Sequence, residues 1–125
     1  MKGRARRLYG IGIDIISRTR MEAFLARHPE MIPRRFLNAR ERRFWRTMDA
    51  VGLAEIFAAK EAFFKACNEP WMGPEGFRGM HITRCGKEKF NMKWRVRNSG
   101  RRYRGEGVFF HDGDLVGAQA MIWSS

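Results

Sequence analysis

FAAKEAFFKA, residues 57–66, sets one glutamate and two lysines, Glu61, Lys60 and Lys65, into a run otherwise made of alanine and phenylalanine. Alanine is the strongest helix former, and the run holds no glycine or proline. It reads as part of a helix over about 51–68. So apolar a helix should lie against a core, where an unpartnered charge is expensive. The three charges therefore either line the wet face of the helix or converge on something charged. Glu61 and Lys65 are four residues apart and share a face, which an ordinary surface Glu–Lys pair explains as readily as a functional site does.

Toward the N-terminus, LYGIGIDII (8–16) reads as a buried strand, apolar on both faces, with Gly10 and Gly12 inside it. Asp14 is its single charge, and like Glu61 it calls for a partner: a cation, a metal or an amide cluster. Ser17 or Thr19 is placed to cap a helix over about 19–28, ended by Pro29, and 30–35 reads as a loop around Pro33. Asn38 reads as the cap of ARERRFWRTM, with Glu41 three residues on as in a capping box. Beyond the central helix, NEPWMGPEGFRG (68–79) is a turn-rich loop. From there the pattern has period two. MHITRC, FNMKWRVR, GEGVFF and LVGAQAMIW read as strands separated by the turns CGKE, NSGRR and HDGD. The order of one strand, then helices, then several strands predicts an α+β fold, with helices packed on an antiparallel sheet in a single domain, 1–125.

The formal net charge is +12 over 125 residues, and most of the 25 basic residues are arginine. Such a surplus predicts attraction to polyanions such as nucleic acid, nucleotides, anionic lipid or an acidic protein. The opening MKGRARRLYGIGIDII imitates a signal peptide, but Asp14 interrupts its apolar run and no small-residue cleavage site follows. No stretch approaches the roughly 20 apolar residues of a membrane span. A cytoplasmic protein without membrane association is expected, with Cys67 and Cys85 as free thiols because their spacing matches no metal motif.

GIGIDI (10–15) and FAAKEAFFKA, in this order and about 45 residues apart, resemble the two signature segments of the 4′-phosphopantetheinyl transferases, most nearly the small holo-acyl-carrier-protein synthase type. Arg20 and the segment RRFLNARERRFW extend the resemblance over roughly residues 9–85. What it implies is transfer of the phosphopantetheine arm of coenzyme A to a serine of an apo acyl carrier protein, releasing 3′,5′-adenosine bisphosphate. Breaking a pyrophosphate calls for a divalent cation on the phosphates. The resemblance makes Asp14 and Glu61 ligands of Mg²⁺, a hard ion suited to carboxylate and phosphate oxygens. It makes Lys65 a catalytic group that reaches a phosphate or helps deprotonate the serine, beside Glu61. Lys65, Lys87 and His111 are the implied coenzyme contacts. Arg20, with Arg18 and Arg27 on the same helix, would meet the acidic carrier protein, and a homotrimer with sites between subunits is the implied assembly.

The second half departs from that pattern. Where the family has an arginine five residues before the metal-binding glutamate, this chain has Ile56. The glycine-lysine-proline turn appears as Gly86, Lys87 and Glu88, and the serine-x-serine-histidine segment as Val108 to His111, keeping only the histidine. His111 reads equally as a residue of the turn. A hairpin, KWRVRNSGRRYRGEG, stands in place of a helix, and its arginines, Arg95, Arg97, Arg101, Arg102 and Arg104, are candidate replacements for lost phosphate contacts. Two other functions compete. One is a catalytically impaired homologue that binds carrier protein or coenzyme A without turnover. The other is a nucleic-acid binder, in which basic residues interleave with Phe44, Trp45, Trp94 and Tyr103; it leaves Asp14 and Glu61 unexplained.

Overall fold

The computed structural model describes residues 7–45, 49–97 and 99–124. The basic opening 1–6, the end of the ARERRFWRTM helix, Asn98 of the NSGRR turn and the side chains of Phe44 and Trp45 lie outside that description. In chain order the elements are β1 (Arg7–Ser17), α1 (Arg18–Arg27), α2 (Met31–Phe36), α3 (Ala39–Trp45), α4 (Ala50–Cys67), α5 (Pro74–Arg78), β2 (Met80–Arg84), β3 (Lys89–Arg95), β4 (Arg102–Asp112) and β5 (Leu115–Ser124). The strands form one antiparallel sheet in the order β1-β5-β4-β3-β2. The expected α+β architecture is the one observed.

α4 lies across one face of this sheet. Its N-terminus is capped by Asp49, whose carboxylate accepts from the Gly52 amide at 2.9 Å, and its C-terminus by Asn68 in the left-handed region at φ 55°. Ala58, Ala59, Ala62 and Phe63 on the helix are fully buried against Phe90, Met92, Phe109, Ala118, Ala120 and Ile122 of the strands. Contact with β1 is closer still. A Cβ at Gly10 would stand 2.1 Å from the Ala66 carbonyl oxygen, and one at Gly12 only 1.9 Å from that of Ala62. Glycine at these two positions lets the helix backbone rest on the strand, so side chains just beyond the contact are brought together.

Four readings are corrected. β1 is an edge strand with one covered face: Ile11, Ile13 and Ile15 on the other face are about half exposed, because α4 packs on one side only. The segment predicted as a loop around Pro33 is helix α2, and Pro33 sits at its third residue, where no intrahelical N–H is required. The loop 68–79 contains a further short helix, α5, opened by Pro74. His111 and Asp112 belong to β4, and the turn is confined to Gly113 and Asp114.

The capping box at Asn38 is present: the Glu41 amide donates to the Asn38 side chain at 2.9 Å, and the Asn38 amide donates to the Glu41 carboxylate at 3.0 Å. Ser17 caps α1 by accepting from the Arg20 amide at 3.2 Å. Asp114 ties the same helix start to the β4–β5 turn, accepting from the amide and hydroxyl of Thr19 at 2.9 and 2.6 Å. Its carboxyl is held below the usual aspartate range by the Ser17 and Thr19 donors. Cys67 is buried and Cys85 exposed, both as free thiols; burial, with Glu69 nearby, pushes the Cys67 thiol up to about 12. Among the described residues, no helix is long and apolar enough to cross a membrane.

Candidate active site

Strand alternation turns Gly10, Gly12, Asp14 and Ile16 toward α4, and the two glycines set how near Asp14 comes to the helix. Lys65 donates to the Asp14 carboxylate at 3.0 Å and to the Ile13 carbonyl at 3.0 Å. Lys65 is half exposed, while the Asp14 side chain retains only 17% exposure. Glu61 lies one helical turn before Lys65 and is half-buried. Burial first, and then the negative charge of Asp14, raise its carboxyl above the usual glutamate range; Lys65 acts in the opposite direction. The expected Glu61–Lys65 surface pair is thus not how the lysine is used. Lys65 crosses to the strand instead, and Asp14, Glu61 and Lys65 share one electrostatic neighbourhood.

This grouping can bind a hard cation. Two carboxylates from separate elements would repel each other without a positive charge, and Glu61 already registers that repulsion. Among the described residues no cluster of three or more histidine, cysteine, aspartate or glutamate side chains could hold a metal. Asp14 and Glu61 are two carboxylates that could hold such an ion, with its remaining positions left to oxygens from elsewhere.

Lys60, adjacent to Glu61 in sequence, faces the other way. It is fully buried and donates to the Glu41 carboxylate at 2.6 Å, the Phe36 carbonyl at 2.9 Å and the Phe77 carbonyl at 2.8 Å. Burial lowers its ammonium below the usual lysine range, and Glu41 opposes that shift. All three donors are satisfied, so this lysine joins α2, α3 and α5 to α4 and takes no part in the Asp14 group.

A second polar cluster opens at the N-terminal part of α4. The Glu55 carboxylate is within 2.6 Å of the Arg84 guanidinium and 3.0 Å of the His111 imidazole. Arg84 also lies over the Phe109 ring, 4.7 Å from its centroid, and donates to the Lys87 carbonyl. Glu55, Arg84 and Phe109 border a cavity of about 380 Å³, also lined by Arg40, Ile56 and Thr83. His111, Lys87 and Ile56, singled out separately from sequence, are thereby brought to one locality, although the Lys87 contact is through its backbone. Among the described residues, no hydrogen bond or ion pair joins them to Asp14 or Lys65. Sequence reasoning missed Glu55 and Arg84. A lone acid at Glu55 in an apolar helix was the signal for the first, and nothing in the strand MHITRC marked the second.

Arg18, Arg20 and Arg27 are exposed on α1, which starts directly after β1. Arg18 is paired with Glu22 at 3.6 Å. In the hairpin, Arg101 lies 3.3 Å from Glu69, which also accepts from the Tyr103 hydroxyl. Burial and that bond raise the Tyr103 phenol above its usual range. Trp94 and Tyr103 face the core and are buried, which removes them as base-stacking platforms.

Comparison with known proteins places the chain. The model of the 4′-phosphopantetheinyl transferase superfamily matches residues 10–118. The holo-[acyl-carrier-protein] synthase of Thiobacillus denitrificans is 38% identical over 79 residues, covering 62% of this chain and 60% of the relative. That of Laribacter hongkongensis is 49% identical over 78 residues, covering 61% and 62%. The match thus spans less than two thirds of either relative. The Helicobacter pylori synthase, solved in complex with coenzyme A, superposes over 90% of this chain and 98% of its own with a TM-score of 0.69 at 24% identity, a likeness of fold. With its matched span, its strand-borne aspartate and its alanine-rich helix, this chain belongs to the 4′-phosphopantetheinyl transferase superfamily.

Proposed function

We propose that the protein transfers the 4′-phosphopantetheine arm of coenzyme A to a serine of an apo acyl carrier protein, giving holo carrier protein and 3′,5′-adenosine bisphosphate. The observation that carries this reading is the meeting of Asp14, Glu61 and Lys65 across β1 and α4. Asp14 and Glu61 fit Mg²⁺, which when bound would neutralise charge on the pyrophosphate. The residues of the chain supply the rest. Asp14 orients Lys65 by the 3.0 Å pair, which keeps an ammonium beside the carboxylates to meet a phosphate oxygen or, directly or through water, to take part in removing the serine proton. Lys87 and His111, which contact the cavity-lining Arg84 and Glu55, would contact the coenzyme.

Exposed Arg18, Arg20 and Arg27 on α1 suit an acidic carrier protein, whose encounter they would speed in a salt-sensitive way. The uncovered sheet face supports a homotrimer. Ile11, Ile13 and Ile15 of β1, Met121 of β5, and Val108 and Phe110 of β4 share that face, with Gln119 between Ile13 and Val108 and Gly117 between Ile15 and Phe110, a largely apolar surface of the kind that subunit contacts cover. A cytoplasmic location is part of the same reading.

Incubation with coenzyme A, Mg²⁺ and an apo carrier protein tests the activity. The carrier should gain the mass of the phosphopantetheine arm with the native chain and not with Glu61→Ala; no gain with the native chain would refute transfer. A second reading, binding without turnover, is favoured by Glu55, which already pairs with Arg84 at the cavity and lies 3.0 Å from the His111 imidazole. It predicts carrier protein retained on a column of the immobilised chain with no mass gain.

A further inference from the structure

We propose that Glu55 sets which form of the coenzyme the chain prefers, favouring the dephospho form, which has a ribose 3′-hydroxyl, over coenzyme A, which has a 3′-phosphate there. The inference rests on the transfer reading above and deepens it at the donor. Glu55 is the sixth residue of α4, and its side chain keeps only 11% exposure. One carboxylate oxygen is 2.6 Å from the Arg84 guanidinium of β2, and the other is 3.0 Å from the His111 imidazole of β4. The carboxylate thus stands between two groups that would otherwise be free to meet an anion. Arg84 is also held by the Lys87 carbonyl and by the Phe109 ring under its guanidinium. Glu41, which borders the same cavity, is engaged by Lys60, so Glu55 is the carboxylate that an occupant meets.

The cavity lies on the α4 side of the sheet. Phe109 and His111 alternate with Val108 and Phe110, so they point away from the face proposed for subunit contact. Glu55 precedes Glu61 by six residues, about 9 Å along the helix axis. A pyrophosphate at Asp14, Glu61 and Lys65 would therefore leave one end of the coenzyme within reach of the cavity. The nucleotide is the end that suits it, because a flat base fits walls made by Phe109, Ile56 and Ile82, whereas the arm is a narrow chain without a ring. A phosphate monoester carries about −1.5 to −2 charge at neutral pH. Beside Glu55 it would meet a like charge in a place largely shut off from water, where repulsion is weakly screened. Arg84 is already engaged by a carboxylate and a carbonyl, which leaves it poorly placed to offset a second anion. Arg40 also borders the cavity but is exposed, and water screens its charge more than that of Glu55. A ribose hydroxyl in the same place instead donates to the Glu55 carboxylate, whose oxygens have lone pairs left to accept it. Loss of the 3′-phosphate leaves the transfer chemistry intact. The serine oxygen bonds to the phosphorus bearing the arm, and the bond from that phosphorus to the bridging oxygen breaks. Its electron pair departs with adenosine 5′-monophosphate, and the serine proton is lost to water.

Titration calorimetry with Mg²⁺ and no carrier protein tests the preference apart from turnover. Dephospho-coenzyme A should bind the native chain at least about tenfold more tightly than coenzyme A. Glu55→Gln keeps an oxygen for Arg84 and removes the charge, and should narrow the gap to less than about threefold, chiefly by tightening coenzyme A. Adenosine 5′-monophosphate should also displace either form better than 3′,5′-adenosine bisphosphate does, which locates the discrimination at the nucleotide end. Equal binding of the two forms, tighter binding of coenzyme A, or a gap unchanged in Glu55→Gln overturns the proposal and leaves the transfer reading standing. The reverse order of the two free nucleotides overturns it in the same way. Binding of neither form would refute the transfer reading as well. Should Glu55→Gln fail to fold, the native-chain comparison of the two forms and the two nucleotides decides.

Discussion

Lys60 and Glu61 are neighbours in sequence and lie in different environments. The ammonium of Lys60 is closed off from water with three acceptors around it, so removing the charge on one side leaves Glu41 buried and unpaired. Lys60→Ala should cost about 3–5 kcal/mol, read by urea denaturation, whereas joint replacement of Lys60 by Met and Glu41 by Leu should recover most of that loss. A joint variant no more stable than Lys60→Ala would contradict the pairing. Glu61 responds to pH instead. Its carboxyl binds a proton more tightly in the folded chain than in the unfolded one, because of burial and Asp14. Its protonated form therefore favours folding, and that contribution is lost as pH rises from the ordinary glutamate range through the raised value. Glu61→Gln should flatten this descent in a series of thermal melts. A slope unaltered by the substitution would place its origin elsewhere. Under the proposed function, a cation must displace the same proton, so Mg²⁺ should bind more weakly as pH falls through that window, which calorimetry would register as proton release. The sequence marked Asp14 and Glu61 because each interrupts an apolar run. It did not reveal that Lys65 serves Asp14, since that contact joins residues 51 apart.

At the scale of elements, the legible features were those written locally. The capping box at Asn38 and Glu41, the extent of α4 and the existence of the period-two strands depend on neighbours within a few residues, and each is found, although β4 runs past the predicted GEGVFF at both ends, from Arg102 to Asp112. Helices α2 and α5 went unread because proline was taken as a breaker, whereas both prolines occupy first-turn positions. β1 was read as covered on both faces because its apolar run resembles a central strand; its place at the edge follows from strand order, which no local pattern encodes. What β1 does encode is the approach of α4 through Gly10 and Gly12. Gly12→Ala would drive a methyl group into the Ala62 carbonyl, an immovable backbone atom, so the helix must lift away from the strand. The expected loss is about 1–3 kcal/mol or more in stability. Catalysis, on the proposed function, should fall further than stability alone explains, because Asp14 and Glu61 move apart. Transfer rates measured well below the melting temperature separate the two effects; a folded Gly12→Ala chain with native rates would show that this close approach does not position the carboxylates.

For the whole molecule, the sheet has two unlike faces. The face under α4 is filled by core side chains, and the other carries Ile11, Ile13, Ile15, Val108 and Phe110 about one-third to one-half exposed. Phe110 lies over Gly117, leaving its ring edge beside Ile15 in a continuous row. Apolar surface of this extent is costly to leave in water, at roughly 25 cal/mol per Å², and a net charge of +12 would by itself drive copies apart. Association through this face therefore requires apolar contact to outweigh charge repulsion, and salt should strengthen it by screening the repulsion. On the proposed homotrimer, sedimentation equilibrium should return three times the chain mass of 14.7 kDa, more completely at high salt. Ile13→Glu places a carboxylate at the centre of the face without touching the core, so it should yield a folded single chain. Since Ile13 also supplies the carbonyl that Lys65 contacts, dissociation with an unaltered melting profile is the informative pair of readings. A native protein that sediments as one chain at every salt concentration would remove the trimer and leave the exposed isoleucines without a cover.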